Sequence, residues 1–249
     1  MDLQLTGKRA IITGGSKGIG LAVAHALAAE GVDVVLAART KDTLEKAAAQ
    51  VSERSGRRAI PVVTDTGDDE SVKALVARAV EELGGVDILV NNASNQAVGA
   101  GFPDLAGTSD EDFWADVNVK VVGYLRAARA VAPHLVQQGW GRIINVSGLG
   151  YRQTHSIVRS IRNVSVAALT KNLADELGPH GVNVTVVHPG QTRTETKNPT
   201  KESANNAIGR VVDAAEVADV IAFLASPRSV AITGDAVAAG GGLLGTVNY

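Results

Sequence analysis

The sequence predicts an α/β domain: a doubly wound, parallel, seven-stranded sheet with helices on both faces. Two observations carry that expectation. Short Val- and Ile-rich runs alternate with longer Ala-, Leu-, Glu- and Lys-rich segments at helical spacing along the whole chain, the pattern of βαβ units around a parallel sheet. Between the first such run and the first helical segment lies a glycine-rich turn, Thr13-Gly14-Gly15-Ser16-Lys17-Gly18-Ile19-Gly20.

In chain order, strand 9–13 leads through that turn into helix 18–30. Strand 33–37 is followed by helix 41–54, and strand 59–63 by helix 68–83. Strand 87–91 precedes a long helix at 109–138, strand 142–146 a helix at 160–177, and strand 183–187 a helix at 214–224, before a last strand at 236–238. Such a sheet takes its ligand outside the C-terminal ends of the strands, where strand order reverses. The loops at 13–20, 38–40, 64–66, 91–99, 147–159 and 188–210 are therefore expected around one cleft. Segment 195–209 is polar and without an apolar run, and is placed to act as a mobile lid.

The 249 residues, 45% of them hydrophobic, fit one domain spanning 1–249. A net charge of -2 with both signs dispersed argues against nucleic acid or an anionic membrane as partner. No window approaches the roughly 18 uninterrupted apolar residues of a membrane span. The absence of cysteine excludes disulfides, thiolate zinc sites and a cysteine nucleophile, and makes the cytoplasm the expected compartment. No His or carboxylate grouping has metal-ligand spacing, so no metal is expected.

The glycine-rich turn points to a nucleotide. Gly14 permits a tight turn, Gly18 and Gly20 let backbone and diphosphate approach, and the helix N-terminus offers free N–H groups to an anion. The second strand ends Ala37-Ala38-Arg39, without the acidic side chain that would bind an unphosphorylated adenosine ribose. Arg39 and Lys17 suit a 2′-phosphate instead. The expected cofactor is NADP(H) in preference to NAD(H).

Together with that turn, several further residues resemble the short-chain dehydrogenase/reductase family. They are Asp65 after the third strand, Asn91-Asn92-Ala93-Ser94 ending the fourth, Asn118 in the long helix, Ser147 after Ile143-Ile144-Asn145-Val146, and Pro189-Gly190-Gln191-Thr192-Arg193-Thr194. The resemblance covers nearly the whole chain and implies a Rossmann-type fold. It further implies a phosphate cradle at Gly14, Ser16, Lys17, Gly18, Ile19 and Gly20, and adenine beside Asp65 and Thr66. Asn91 and Ala93 would meet the ribose, and Pro189, Thr192 and Thr194 the nicotinamide carboxamide. Asn118 and Ser147 match two members of the family's Asn-Ser-Tyr-Lys tetrad.

The other two members are missing. Counting back from the gap-free helix 166–174, Arg159 stands at the Tyr position and Asn163 at the Lys position. The family's Lys lowers the Tyr pKa from about 10 towards neutrality so that it can exchange a proton. Arg159 holds its proton to above roughly pH 12 and Asn163 does not titrate. Two roles are open to Arg159: holding an oxyanion together with Ser147, or binding an anionic substrate together with Arg162. A proton would come from water, the substrate, Tyr151 or His155. The expected function is an NADP(H)-binding oxidoreductase with an atypical active site, acting on a small molecule. The alternative is a nucleotide-binding homologue without turnover, serving a regulatory or structural role. The family further implies a homo-oligomer, tetramer or dimer, and Val117, Val121, Leu125, Leu169 and Leu173 recur at helical spacing on the two long helices.

Overall fold

Runs such as Ala10-Ile11-Ile12, Val34-Val35-Leu36 and Ile88-Leu89-Val90 are buried end to end, as parallel strands covered on both faces must be. The structure is a computed structural model describing residues 1–95, 105–152, 156–200 and 204–245. The chain runs β1 (Arg9–Thr13), α1 (Gly18–Ala29), β2 (Asp33–Ala38), α2 (Lys41–Ser55), β3 (Ala59–Val63), α3 (Asp69–Leu83) and β4 (Ile88–Asn91). It continues through α4 (Asp110–Val117), a π-turn (Asn118–Val122), α5 (Gly123–Gln138), β5 (Gly141–Val146), α6 (Ile157–Leu177), β6 (Val182–Pro189), β7 (Thr192–Arg193), β8 (Val212–Asp213), α7 (Ala214–Leu224) and β9 (Ala236–Ala239).

The seven-stranded sheet has the order β3-β2-β1-β4-β5-β6-β9 with every pair parallel. Order reverses between β1 and β4, which opens the cleft above their C-terminal ends. One face packs against α1, α2 and α7 through Val23, Leu27, Val51 and Ile221. The other packs against α3, α5 and α6 through Leu75, Val131 and Leu177. Pro61 lies in β3 at the sheet edge, where its missing N–H costs no ladder bond. Among the described residues no helix is long and apolar enough to cross a membrane.

Two helices differ from expectation in ways that shape the site. The long helix expected at 109–138 is broken into α4 and α5 by the π-turn, whose extra residue rotates α5 relative to α4. Gly123, just beyond it, lies so close to the loop after β3 that a Cβ would stand 2.9 Å from the Thr66 carbonyl oxygen. Helix α6 begins at Ile157 rather than 160, because the Ser156 hydroxyl accepts from the Arg159 N–H at 3.3 Å and caps an earlier first turn. Arg159 is therefore helical. Among the described residues in and beside the segment expected as a lid, Thr194 and Lys197 form a local bridge, and Asn206 pairs with Leu243 and donates to the Arg210 and Gly240 carbonyls.

Candidate active site

A cavity of about 910 Å³ lies over the strand ends and runs from the glycine-rich turn to α6. At its nucleotide end the turn is strapped to β2, since Gly14 and Gly15 N–H both donate to the Ala37 carbonyl, at 2.7 and 3.2 Å. Gly14 has φ +67°, and a Cβ there would meet Asn92 Nδ2 at 2.9 Å, so only glycine fits. A Cβ on Gly20 would stand 2.2 Å from the Gly14 carbonyl oxygen. Gly20 thus serves the closeness of helix to turn and does not itself line the cavity. The Thr13 hydroxyl accepts from the Asn92 and Ala93 N–H groups and joins β1 to the loop after β4.

Helix α1 has no side-chain cap, because Lys17 stands at that position without an acceptor. Its first N–H, on Gly18, donates instead to the Glu195 carboxylate at 2.6 Å. A carboxylate oxygen is thus seated where a helix N-terminus favours an anion. Cradle and bound carboxylate together fit the diphosphate of a dinucleotide. Ser16, Lys17, Gly18, Ile19 and Arg39 line this end, with Asp65, Thr66 and Ala93 beside them. Asp65 accepts from the Gly67 N–H at 2.8 Å. Pro189, Thr192 and Thr194 line the middle of the cavity.

At the far end stand Ser147, Arg159, Arg162 and Asn163, all on the lining. The Ser147 hydroxyl donates to the Asn163 carbonyl at 3.4 Å. The Asn163 side chain is buried, and its Oδ1 has no hydrogen-bond partner among the described residues. Gly150 lies against the Arg159 stem, where a Cβ would come within 2.8 Å of Cδ. Arg162 forms an ion pair with both oxygens of Asp116, and the two side chains are only 14% and 15% exposed.

Two expected residues are turned elsewhere. Asn118 donates to the Gly67 carbonyl at 3.1 Å and accepts from Arg126 at 2.8 Å, so its amide braces the loop after β3 and leaves the cavity. Both residues belong to the π-turn, with Asn118 off the cavity lining and Lys120 on it. Asn91 is fully buried, with Nδ2 donating to Asn145 Oδ1 at 3.0 Å, and it ties β4 to β5 beneath the cavity floor. Asn92 takes the place on the lining expected of Asn91.

Residues 8–205 match the short chain dehydrogenase family. The chain belongs to that family. Over 248 residues it is 34% identical to the short-chain reductase protein NovJ of Streptomyces niveus, covering 94% of this chain and 92% of the relative. The L-sorbose reductase of Gluconobacter frateurii, solved with NADPH and L-sorbose, superposes with a TM-score of 0.91 at 30% identity, over 99% of this chain and 100% of that one. A xylitol dehydrogenase solved with NAD+ superposes with a TM-score of 0.87 at 27% identity, over 96% of this chain and 100% of that one.

In this member of the family, Lys120 is a lining residue that the sequence did not single out. It is 5% exposed, lies on the cavity lining, and its Nζ donates to the Ser147 carbonyl at 3.0 Å. Burial pulls its ammonium down to about 7, with the positive Arg162 adding to the effect and Asp116 opposing it. Its signal was a lone charge in the run Val117-Asn118-Val119-Lys120-Val121-Val122. Two other buried titratable groups lie near this end but off the lining. Tyr124 donates its hydroxyl to the Val146 carbonyl at 2.8 Å, and burial raises its phenol far above the ordinary range. The His188 ring lies 3.2 Å from the Gly148 carbonyl oxygen, and burial pulls it down to about 4. His155 and the Tyr151 side chain, named from the sequence as proton sources, lie outside the described residues.

Proposed function

We propose that this chain is an NADP(H)-dependent oxidoreductase that interconverts a small carbonyl compound and its alcohol, with an active site altered at the Tyr and Lys positions. The observation that carries this reading is the single cavity joining the glycine cradle to Ser147, with Lys17 and Arg39 lining the nucleotide end and no carboxylate at the end of β2. The cofactor would be held by Ser16, Lys17, Gly18 and Ile19 at its diphosphate, and by Arg39 at a 2′-phosphate. Asp65, Thr66 and Ala93 would meet its adenosine side, and Pro189, Thr192 and Thr194 its carboxamide. When bound, it supplies a hydride. The NADPH-bound L-sorbose reductase supports the cofactor choice; the NAD+-bound xylitol dehydrogenase makes NADH the comparison to run.

The chain's own residues account for binding and orientation. Arg159 and the Ser147 hydroxyl supply positive charge and a donor for oxygen at the far end, and Arg159 also suits an anionic substrate. Asn163 keeps a hydrogen-bonding group where the family has its lysine. Leu125, Ile161 and Val164 on α5 and α6 are 39%, 44% and 51% exposed, which supports a homo-oligomer, dimer or tetramer, formed through these helices. The cysteine-free sequence supports a cytoplasmic protein.

The test is calorimetric titration with NADPH and NADH, followed by turnover on a panel of ketones and alcohols with the wild type and with Arg159→Tyr/Asn163→Lys. Tighter NADPH binding with wild-type turnover is expected. Binding without turnover, gained only in the double variant, would favour the alternative that Arg159 and Asn163 suggest, a nucleotide-binding homologue that has lost its chemistry. Absence of nucleotide binding would refute both.

A further inference from the structure

With Arg159 and Asn163 in place of Tyr and Lys, reduction of a carbonyl still requires a group that gives up a proton near neutral pH. Among the described lining residues at the far end, the titratable ones are Lys120, Arg159 and Arg162. Guanidinium groups keep their protons, and Arg162 is tied to Asp116. Tyr124 and His188 lie off the lining, Tyr124 with its hydroxyl committed to Val146.

We propose that Lys120 is the acid–base residue of this cavity, exchanging a proton between Nζ and the carbonyl or alcohol oxygen of the substrate. The inference rests on the oxidoreductase reading above and names the proton donor that reading lacks. In reduction, a bound reduced nicotinamide would supply the hydride that the carbonyl carbon takes up. The oxygen forms its O–H bond with a proton from Nζ, the N–H bond breaks, and the neutral amine regains a proton from water. Oxidation of the alcohol runs the same steps in reverse.

Geometry carries the assignment. Lys120 lies within the π-turn and on the cavity lining, and such bulges concentrate at functional sites. The contact to the Ser147 carbonyl fixes Nζ at the residue whose hydroxyl lines the same end, and it uses one of the three ammonium protons. Four charged or titratable groups face the amine: Asp116 on α4, Arg159 and Arg162 on α6, and His188 on β6. Arg162 is compensated by Asp116, Arg159 adds positive charge, and His188 is held neutral by its burial. Around an amine as buried as this one, that balance favours easy loss of a proton from Nζ, in line with its lowered pKa.

The experiment uses the cofactor-free chain labelled with 13Cε-lysine, the Lys120 resonance being assigned by its loss in both Lys120→Met and Lys120→Arg. A titration midpoint near 7 is expected, apart from the other lysines near 10. With saturating NADPH and a reducible ketone, Lys120→Met should lower kcat by about 10²–10⁴-fold while NADPH affinity is unchanged. Lys120→Arg should keep the positive charge without restoring the rate. Wild-type kcat for reduction should fall as pH rises past the midpoint, a dependence absent from both variants. A midpoint near 10, or a Met variant with wild-type kcat and pH profile, would overturn the assignment. A wild type that binds NADPH and reduces nothing, with Lys120 still titrating near 7, would overturn the oxidoreductase reading, and the catalytic role would fall with it.

Discussion

The Arg162–Asp116 pair offers the sharpest energetic test of the far end of the cavity. Both side chains are largely withdrawn from water, at 14% and 15% exposure, and one guanidinium nitrogen reaches both carboxylate oxygens. Arg162 Nε is buried without a hydrogen-bond partner among the described residues, so the guanidinium depends on Asp116 for most of its compensation. Replacing Asp116 by Leu strands that charge, and removing one partner of a buried pair costs about 3–5 kcal/mol. For a chain of this size that corresponds to a fall in Tm of about 6–20 °C, at roughly 2–4 °C per kcal/mol. Exchanging both partners, Asp116→Leu with Arg162→Met, removes the stranded charge and should recover most of the loss. Thermal unfolding followed by circular dichroism measures both. A second readout comes from the neighbouring amine: Asp116→Leu should lower the Lys120 midpoint and Arg162→Met should raise it. A single variant within about 1 kcal/mol of wild type, or a double variant no better than the single, would refute the reasoning.

Three further outcomes are expected. His188 is held neutral, with a folded-state pKa of about 4 against 6.5 for the free side chain. The unfolded chain therefore binds more protons between those values, and stability should decline as pH falls from about 6.5 to about 4 and then level off. Urea unfolding across that range should show the slope, by up to about 3 kcal/mol, and His188→Asn should flatten it. On the proposed role of Arg39 at a 2′-phosphate, Arg39→Ala should lower the preference for NADPH over NADH about 10–100-fold by calorimetry; an unchanged ratio would show that Arg39 does not read that group. Glu195→Gln weakens the hold on the Gly18 N–H, so binding of inorganic phosphate should tighten relative to wild type in the same calorimeter.

Much of the fold could be read from the sequence because its strands are sharply bounded. Residues 34–36 and 88–90 are apolar on both faces and end in polar or turn-forming residues, so the βα rhythm places every strand of the main sheet to within a residue or two. The glycine-rich turn was legible as a turn, since positive φ at Gly14 and Gly18 permits few other residues, whereas the sequence did not show that Gly20 serves the contact with Gly14 and not the cavity. The break at 118–122 was not legible. A π-turn adds one residue without a compositional mark, and the surrounding Val-rich sequence reads as one continuous helix. The family motif placed Asn118 in the site, whereas in the structure its amide is held on the Gly67 carbonyl and Lys120, two residues on, lies on the lining. The two-residue strands β7 and β8 escaped notice for another reason: their pairing, Thr192 to Val212 and Arg193 to Asp213, spans a distance that no local pattern encodes.

The contact between Glu195 and Gly18 bears on which anions the cleft admits. A carboxylate tethered through the chain competes at an effective concentration on the order of millimolar or more. Stray inorganic anions, each offering only a single point of attachment, meet an internal rival that never diffuses away. A long ligand with further handholds along the same cleft gains from those contacts what it takes to displace the side chain. Any anion that is to take the Gly18 N–H has first to displace a carboxylate supplied by the chain itself.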